Sequence, residues 1–240
     1  MTVLNTPERI LFLDIETVSQ YPSFEALPSK WKPLWAKKSL RLQPDASPAE
    51  TYHKASIYSE FGKIICICAG RYNRQKHTLS VVTFNHIDEK VLLTEFSSWI
   101  NNTSNASTTL AAHNGREFDF PWIARRMLVH GISHPDILKI MGKKPWEINC
   151  LDTLDYWKCG DYKNFISLQL LAECMGLRSA KSTMEGSDIH EQYWVQQNHN
   201  GISRYCREDV EILAQIVLKW ANMPELRKVI LIGSPNQTVN

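Results

Sequence analysis

The run Ile10-Leu11-Phe12-Leu13 is apolar at every position and passes directly into Asp14-Ile15-Glu16-Thr17. A strand apolar on both faces has to be covered on both faces, so the segment reads as a central, buried strand. It requires layers above and below a sheet, and therefore points to an α/β architecture. With 240 residues, 43% of them hydrophobic, the chain can fill one sizeable core.

The order of later elements agrees. Residues 19–61 are different in kind: Pro22, Pro28, Pro33, Pro44 and Pro48 punctuate them, and Trp31 and Trp35 lie among Lys30, Lys32, Lys37, Lys38 and Arg41. Within them Ser47-Pro48-Ala49-Glu50 combines an N-cap serine, an N1 proline and an N3 glutamate, which predicts a helix over about 48–59. We read 19–61 as an insertion at the edge of one domain spanning 1–232, followed by a polar, flexible tail over 233–240. Strands are expected at 63–71 and 79–84, joined by a polar turn. A helix is expected over 88–101, a Ser/Thr/Asn-rich loop over 101–109, and a short strand over 109–112. Pro121 opens a helix that Gly131 stops, Gly176 ends another begun at Ser167, and a long helix covers 202–221. The sum is a mixed sheet flanked by helices.

Composition narrows the function classes. The 27 Lys+Arg against 25 Asp+Glu do not form the basic surface of a protein that grips long duplexes through phosphates alone. None of the six cysteines has CxxC spacing, which argues against a structural zinc site, and Cys66 and Cys68 alternate on one strand face as core residues. Residues 1–8 lack the basic start of a signal peptide, and no apolar run is long enough to span a bilayer. The expectation is a cytoplasmic chain with reduced thiols and no membrane partner.

Three groups of residues carry the chemistry. Asp14 and Glu16 alternate on a strand and so share a face. Two carboxylates this close repel one another unless a cation lies between them, and Mg²⁺ takes such oxygen ligands together with phosphate. For this pair alone, an acidic strand end in solvent explains the pattern equally well. Asp119 stands at a helix start behind the turn His113-Asn114-Gly115, interleaved with Phe118, Phe120 and Trp122. A lone aspartate there is accounted for by the helix dipole, whereas aromatic neighbours suit stacking on unpaired bases. Tyr205 and Asp209 are four apart on one helix face, and Asp209 interrupts an apolar stripe. A buried carboxylate needs a partner, either a cation or a basic side chain such as Arg204 or Arg207. Asp152 and Asp155 read as turn or helix-start residues.

In this order the motifs resemble the DEDD exonuclease superfamily, tyrosine subgroup, and most closely the proofreading-type exonuclease domain of family B DNA polymerases. Asp14-Ile15-Glu16-Thr17 matches the first motif, Asn114 with Phe118-Asp119 the second, and Tyr205-x-x-x-Asp209 the third. The resemblance implies a ribonuclease H-like fold and 3′→5′ hydrolysis of single-stranded DNA ends to nucleoside 5′-monophosphates. It implies two divalent cations, Mg²⁺ or Mn²⁺, held by Asp14, Glu16, Asp119 and Asp209. Asp14 would bridge both, Glu16 and Asp209 would complete the site of the attacking water, and Asp119 would act through water. Tyr205 would orient the nucleophile, so His113 is not assigned as base. Thr17, Asn114 and Phe118 would contact the terminal nucleotides. Two alternatives are an RNA-directed exonuclease and a catalytically inactive nucleic-acid-binding relative. No polymerase is expected to follow, and residues 19–61 have no counterpart in the minimal motifs; their basic, Trp-bearing part is expected to help hold single strands.

Overall fold

The computed structural model describes residues 3–177 and 184–233, and the expected tail lies from residue 234 outside them. Strand β1 (Ile10–Ser19) occupies the centre of the sheet. After α1 (Lys32–Leu42) come β2 (Gly62–Asn73), β3 (Thr78–Asn85), α2 (Glu89–Thr103), β4 (Thr109–Ala112) and α3 (Asp119–Val129). There follow β5 (Cys150–Asp152), α4 (Thr153–Lys158), α5 (Leu168–Cys174), α6 (Ile189–Trp194), α7 (His199–Trp220) and β6 (Lys228–Ile232). The strands lie in the order β5-β4-β1-β2-β3-β6, and β2 alone runs against the others. This is the mixed sheet, flanked by helices, of the expected ribonuclease H-like fold.

Alternation along β1 assigns its side chains to two cores. Ile10 and Phe12 pack with Ile202, Cys206, Val210 and Leu213 of α7 on one face. Leu11, Leu13 and Ile15 pack with Leu92, Phe96, Ile123 and Met127 of α2 and α3 on the other. Each fully buried aliphatic side chain is worth about 1.5–3 kcal/mol, which fixes β1 between two layers. The helices begin and end as their sequences direct. Asp88 caps α2 through Lys90 N–H, Ser167 caps α5 through Leu170 N–H, and Asn198 caps α7 through Gly201 N–H. Gly131 and Gly176 take the left-handed backbone just beyond α3 and α5.

The insertion differs from its expectation. The helix predicted over 48–59 is a turn followed by a short 3₁₀ segment, Tyr52–Ile57, and the α-helix lies earlier, at α1. The capping box itself forms: Ser47 N–H donates to Glu50 Oε2 at 2.7 Å and Glu50 N–H to Ser47 Oγ at 3.3 Å. The helix does not propagate because the Pro48 carbonyl accepts from Trp35 Nε1 at 2.8 Å and from Thr51 Oγ1 at 3.2 Å. Trp35, Tyr52, Ala55 and Leu27 form a small separate core, edged by Tyr21, Phe24, Trp31, Tyr58 and Phe61. Strand β6 and helix α6 were not anticipated.

Candidate active site

Asp14 and Glu16 lie within β1, not at its end, since the strand continues to Ser19. What ends here is the neighbouring strand. The β4 pairing covers only Ile10–Phe12 of β1, while β2 follows β1 through Ser19. Beyond Phe12 one edge of β1 is therefore open, at the level of β4's C-terminal end, where α/β sheets place their sites. Asp14 and Glu16 pair across the ladder with Cys68 and Cys66, and the register shifts immediately afterwards, between Glu16 and Thr17. Both acids point to the α7 face, the side occupied by Ile10 and Phe12 lower on the strand.

Asp119 fills the open edge. It is the first residue of α3, and its Oδ1 accepts the Ile15 N–H at 3.2 Å, a donor left over by the end of β4. The turn before it is built for this approach. Asn114 has a left-handed backbone (φ 62°), and Gly115 leaves no room for a side chain, since a Cβ would stand 2.4 Å from Ala112 Cβ. Asp152 anchors the turn: its Oδ1 accepts from Asn114 N–H and its Oδ2 from Arg116 N–H, each at 3.0 Å, while it also caps α4. Asp152 thus has the turn and helix-start roles expected of it, and Asp155 pairs with Arg116 and Lys158.

Helix α7 supplies the third group. Cys206, Val210 and Leu213 face the sheet, whereas Ile212 and Ile216 pack on Leu171 and Ala172 of α5. Tyr205 and Asp209 stand between these stripes and face the β1 acids. The arginines proposed as partners for Asp209 act elsewhere, offsetting the burial that raises the Glu208 carboxyl.

The electrostatics follow from the crowding. Burial first, then Glu16, Asp209 and Asp119, raise the Asp14 carboxyl well above the carboxylate range. Glu16 is raised in the same way by burial, Asp209, Cys68 and Asp119. Burial pushes Asp119 up to about 7 against the hydrogen bonds it accepts from its own backbone and from Ile15. Burial also pushes Asp209 up to about 7, opposed by its hydrogen bond with Tyr205. The Tyr205 hydroxyl is raised by burial and by Asp209, Glu16 and Asp14. Among the described residues no basic side chain makes an ion pair with any of the four acids. Asp14 Oδ2 is buried with no hydrogen-bond partner. A cluster of carboxylate oxygens with an orphaned oxygen at its centre fits hard divalent cations such as Mg²⁺ or Mn²⁺.

Thr17 Oγ1 donates to the Ser56 carbonyl at 2.7 Å and ties the insertion to β1. Phe118 is half-buried against Trp122, ring centroids 5.8 Å apart. His113 uses both ring nitrogens, on Thr153 Oγ1 and the Ile166 carbonyl, and burial lowers its basicity. Of the insertion's tryptophans, Trp35 is wholly buried and Trp31 is half-buried, packed edge-on against Phe61. Cys206 was not a candidate from the sequence, and its Sγ lies within 4.8 Å of carboxylate oxygens of Asp14 and Glu16. No helix among the described residues is long and apolar enough to cross a membrane.

No curated protein matches the chain with significance. Among solved structures, the family B DNA polymerase from the hyperthermophilic archaeon Pyrobaculum calidifontis aligns at TM-score 0.52 and 14% identity, over 88% of this chain and 24% of the polymerase. Exonuclease I aligns at TM-score 0.44 and 11% identity, over 88% of this chain and 40% of its own. The chain thus spans about a quarter of the polymerase, and the likeness establishes the fold. A family model described as "Predicted 3'-5' exonuclease related to the exonuclease domain of PolB" matches residues 56–223, which include Asn114, Asp119, Tyr205 and Asp209 and begin after Asp14 and Glu16. With that model covering well over half of its length, the chain belongs to the family of predicted 3′-5′ exonucleases related to the exonuclease domain of PolB.

Proposed function

We propose that the chain is a metal-dependent 3′→5′ exonuclease of the DEDD tyrosine subgroup, acting on single-stranded DNA ends and releasing nucleoside 5′-monophosphates. The observation that carries this reading is the orphaned Asp14 Oδ2 among four mutually repelling carboxylates. Asp14, Glu16, Asp119 and Asp209 would hold two divalent cations. When bound, such a pair stabilises the attacking and leaving oxygens of an in-line phosphoryl displacement.

The chain's own groups do the positioning. Tyr205 keeps its proton, because burial and three carboxylates oppose the phenolate. Its hydroxyl orients the attacking water by hydrogen bonding and does not act as a base. His113 has no free ring nitrogen for that role. Phe118 offers a ring for stacking on a terminal base, a contact tolerant of sequence. Asn114 and the strand edge at Thr17 flank the same approach and would hold the terminal sugar and phosphate.

The test is degradation of matched 5′-labelled single-stranded DNA and RNA with Mg²⁺, with Mn²⁺ and with chelator, beside an Asp14→Ala protein. A ladder shortening from the 3′ end, dependent on metal and absent in the variant, is expected, with DNA the faster substrate. Faster RNA cleavage would make the protein an exoribonuclease. Binding without cleavage of either strand would make it a binding relative and overturn the role given to the acids.

A further inference from the structure

We propose that Cys66, Cys68 and Cys206 form a thiolate site for one thiophilic cation of the Zn²⁺ class, set behind the carboxylate cluster and sharing Glu16 with it. Alternation along β2 puts Cys66 and Cys68 on the face that meets α7, and α7 delivers Cys206 between them. Cys66 Sγ and Cys68 Sγ are 3.9 Å apart, and all three sulfurs lie within 4.8 Å of one another. A tetrahedral Zn²⁺ with bonds of about 2.3 Å sets its sulfurs about 3.8 Å apart, close to the 3.9 Å between Cys66 Sγ and Cys68 Sγ. From the 4.8 Å limit, the two separations to Cys206 Sγ need to close by at most about 1.0 Å.

Sulfur also separates this site from its neighbour chemically. Thiolates select Zn²⁺ and its congeners, whereas carboxylate oxygens select Mg²⁺ and Mn²⁺. Glu16 is the fourth donor. It lies opposite Cys66 on the ladder, its carboxylate is within 4.8 Å of Cys206 Sγ, and its charge acts on both Cys66 and Cys68. Without metal the thiols rest on weak contacts: Cys66 to Ser203 Oγ at 3.9 Å, Cys68 with Thr83 Oγ1 at 3.4 Å, and Cys206 to the Asp14 carbonyl at 3.5 Å. Binding forms three metal–sulfur bonds and releases to solvent the protons still held on sulfur. CxxC spacing is absent because the third sulfur arrives from a distant helix. One consequence rests on the nuclease reading: a cation that draws Glu16 towards sulfur removes it from the proposed catalytic pair.

Cd²⁺ alone, titrated into reduced protein without nucleic acid, tests the site through thiolate-to-metal charge-transfer absorption. The exposed thiols are removed first with Cys159→Ser and Cys174→Ser. In that background we expect a band that saturates at one thiolate-bound Cd²⁺ per chain, binding weakened at least 10-fold by Cys206→Ala and by Cys66→Ala, and a band retained in Asp14→Ala. Cys206→Val, which keeps the buried volume, separates lost ligation from lost packing and is also expected to lose the band. Absence of the band, its survival in Cys206→Val, or its loss in Asp14→Ala overturns the proposal. Because no cleavage is measured, failure of the nuclease reading leaves this result unaffected.

Discussion

Replacing Asp119 by asparagine should stabilise the metal-free protein while abolishing its activity. The Asp119 carboxyl is pushed up to about 7 from an ordinary value of 3.8. Ionising it in the folded chain therefore costs about 4 kcal/mol more than in the unfolded chain. The folded state holds the proton more tightly, so stability is present at low pH and is lost as pH rises from near 4 to near 7. Asp119→Asn removes the ionisation and keeps an oxygen to accept the Ile15 N–H. Since Asp209 relaxes when its neighbour is neutral, the expected gain at pH 8 in chelator is about 2–4 kcal/mol, or roughly 5–10 °C in Tm for a chain of this size. Thermal and urea unfolding at pH 5 and pH 8 provide the measurement. The wild type should lose stability between the two pH values and the variant should lose less. Mg²⁺ should raise the wild-type Tm more than that of the variant. Identical pH dependence in both proteins, or a variant less stable than wild type at pH 8, would refute the electrostatic account of the cluster.

Other expectations follow from separate parts of the molecule. Tyr205→Phe should lower kcat on single-stranded DNA by about 10²-fold while leaving Mg²⁺-induced stabilisation intact, as read by single-turnover kinetics and thermal melts. Glu89→Ala should cost about 3–5 kcal/mol in urea unfolding, because Glu89 is buried, accepts Arg126 through both carboxylate oxygens and also holds Ile64 N–H and His130. Gly115→Ala should cost about 1–3 kcal/mol and reduce cleavage together with stability, since its Cβ would press on Ala112 and Phe120. Lys30→Glu with Lys37→Glu, both exposed on the insertion, should weaken binding to long single strands and flatten its salt dependence, with unchanged affinity excluding the insertion from the substrate path.

The parts of this fold that were legible in the sequence are those where local pattern and tertiary packing agree. The apolar β1 run, the alternation of β2 and the capped helices α2, α5 and α7 are of this kind. The insertion was misread because a good capping box was outcompeted by Trp35, whose indole takes the Pro48 carbonyl needed for a first helical turn. That contact joins residues 13 apart and leaves no trace in local spacing. Strand β6 escaped notice because it is an edge strand paired only with β3, with no buried face to impose a pattern. In the candidate site, the shared face of Asp14 and Glu16 and the spacing of Tyr205 and Asp209 could be read directly. The hold of Asp152 on the turn before α3 and the position of Cys206 could not, since each depends on a partner brought near only by the sheet.

The geometry also explains why four acids can be tolerated in one place. Each belongs to an element held by something other than the acid. β1 is fixed by cores on both faces, and α7 by two apolar stripes. The turn before α3 is fixed by Asp152 and by the close approach at Gly115. The repulsion within the cluster is therefore borne by the packing around it and cannot be relieved by a single side chain swinging away. Asp119 makes the point: its Oδ1 takes the Ile15 N–H on the strand edge freed by the end of β4, which holds the carboxylate beside the others against a cost of several kcal/mol. A site strained in this way gains most from a divalent cation, because binding offsets a cost that folding has already incurred.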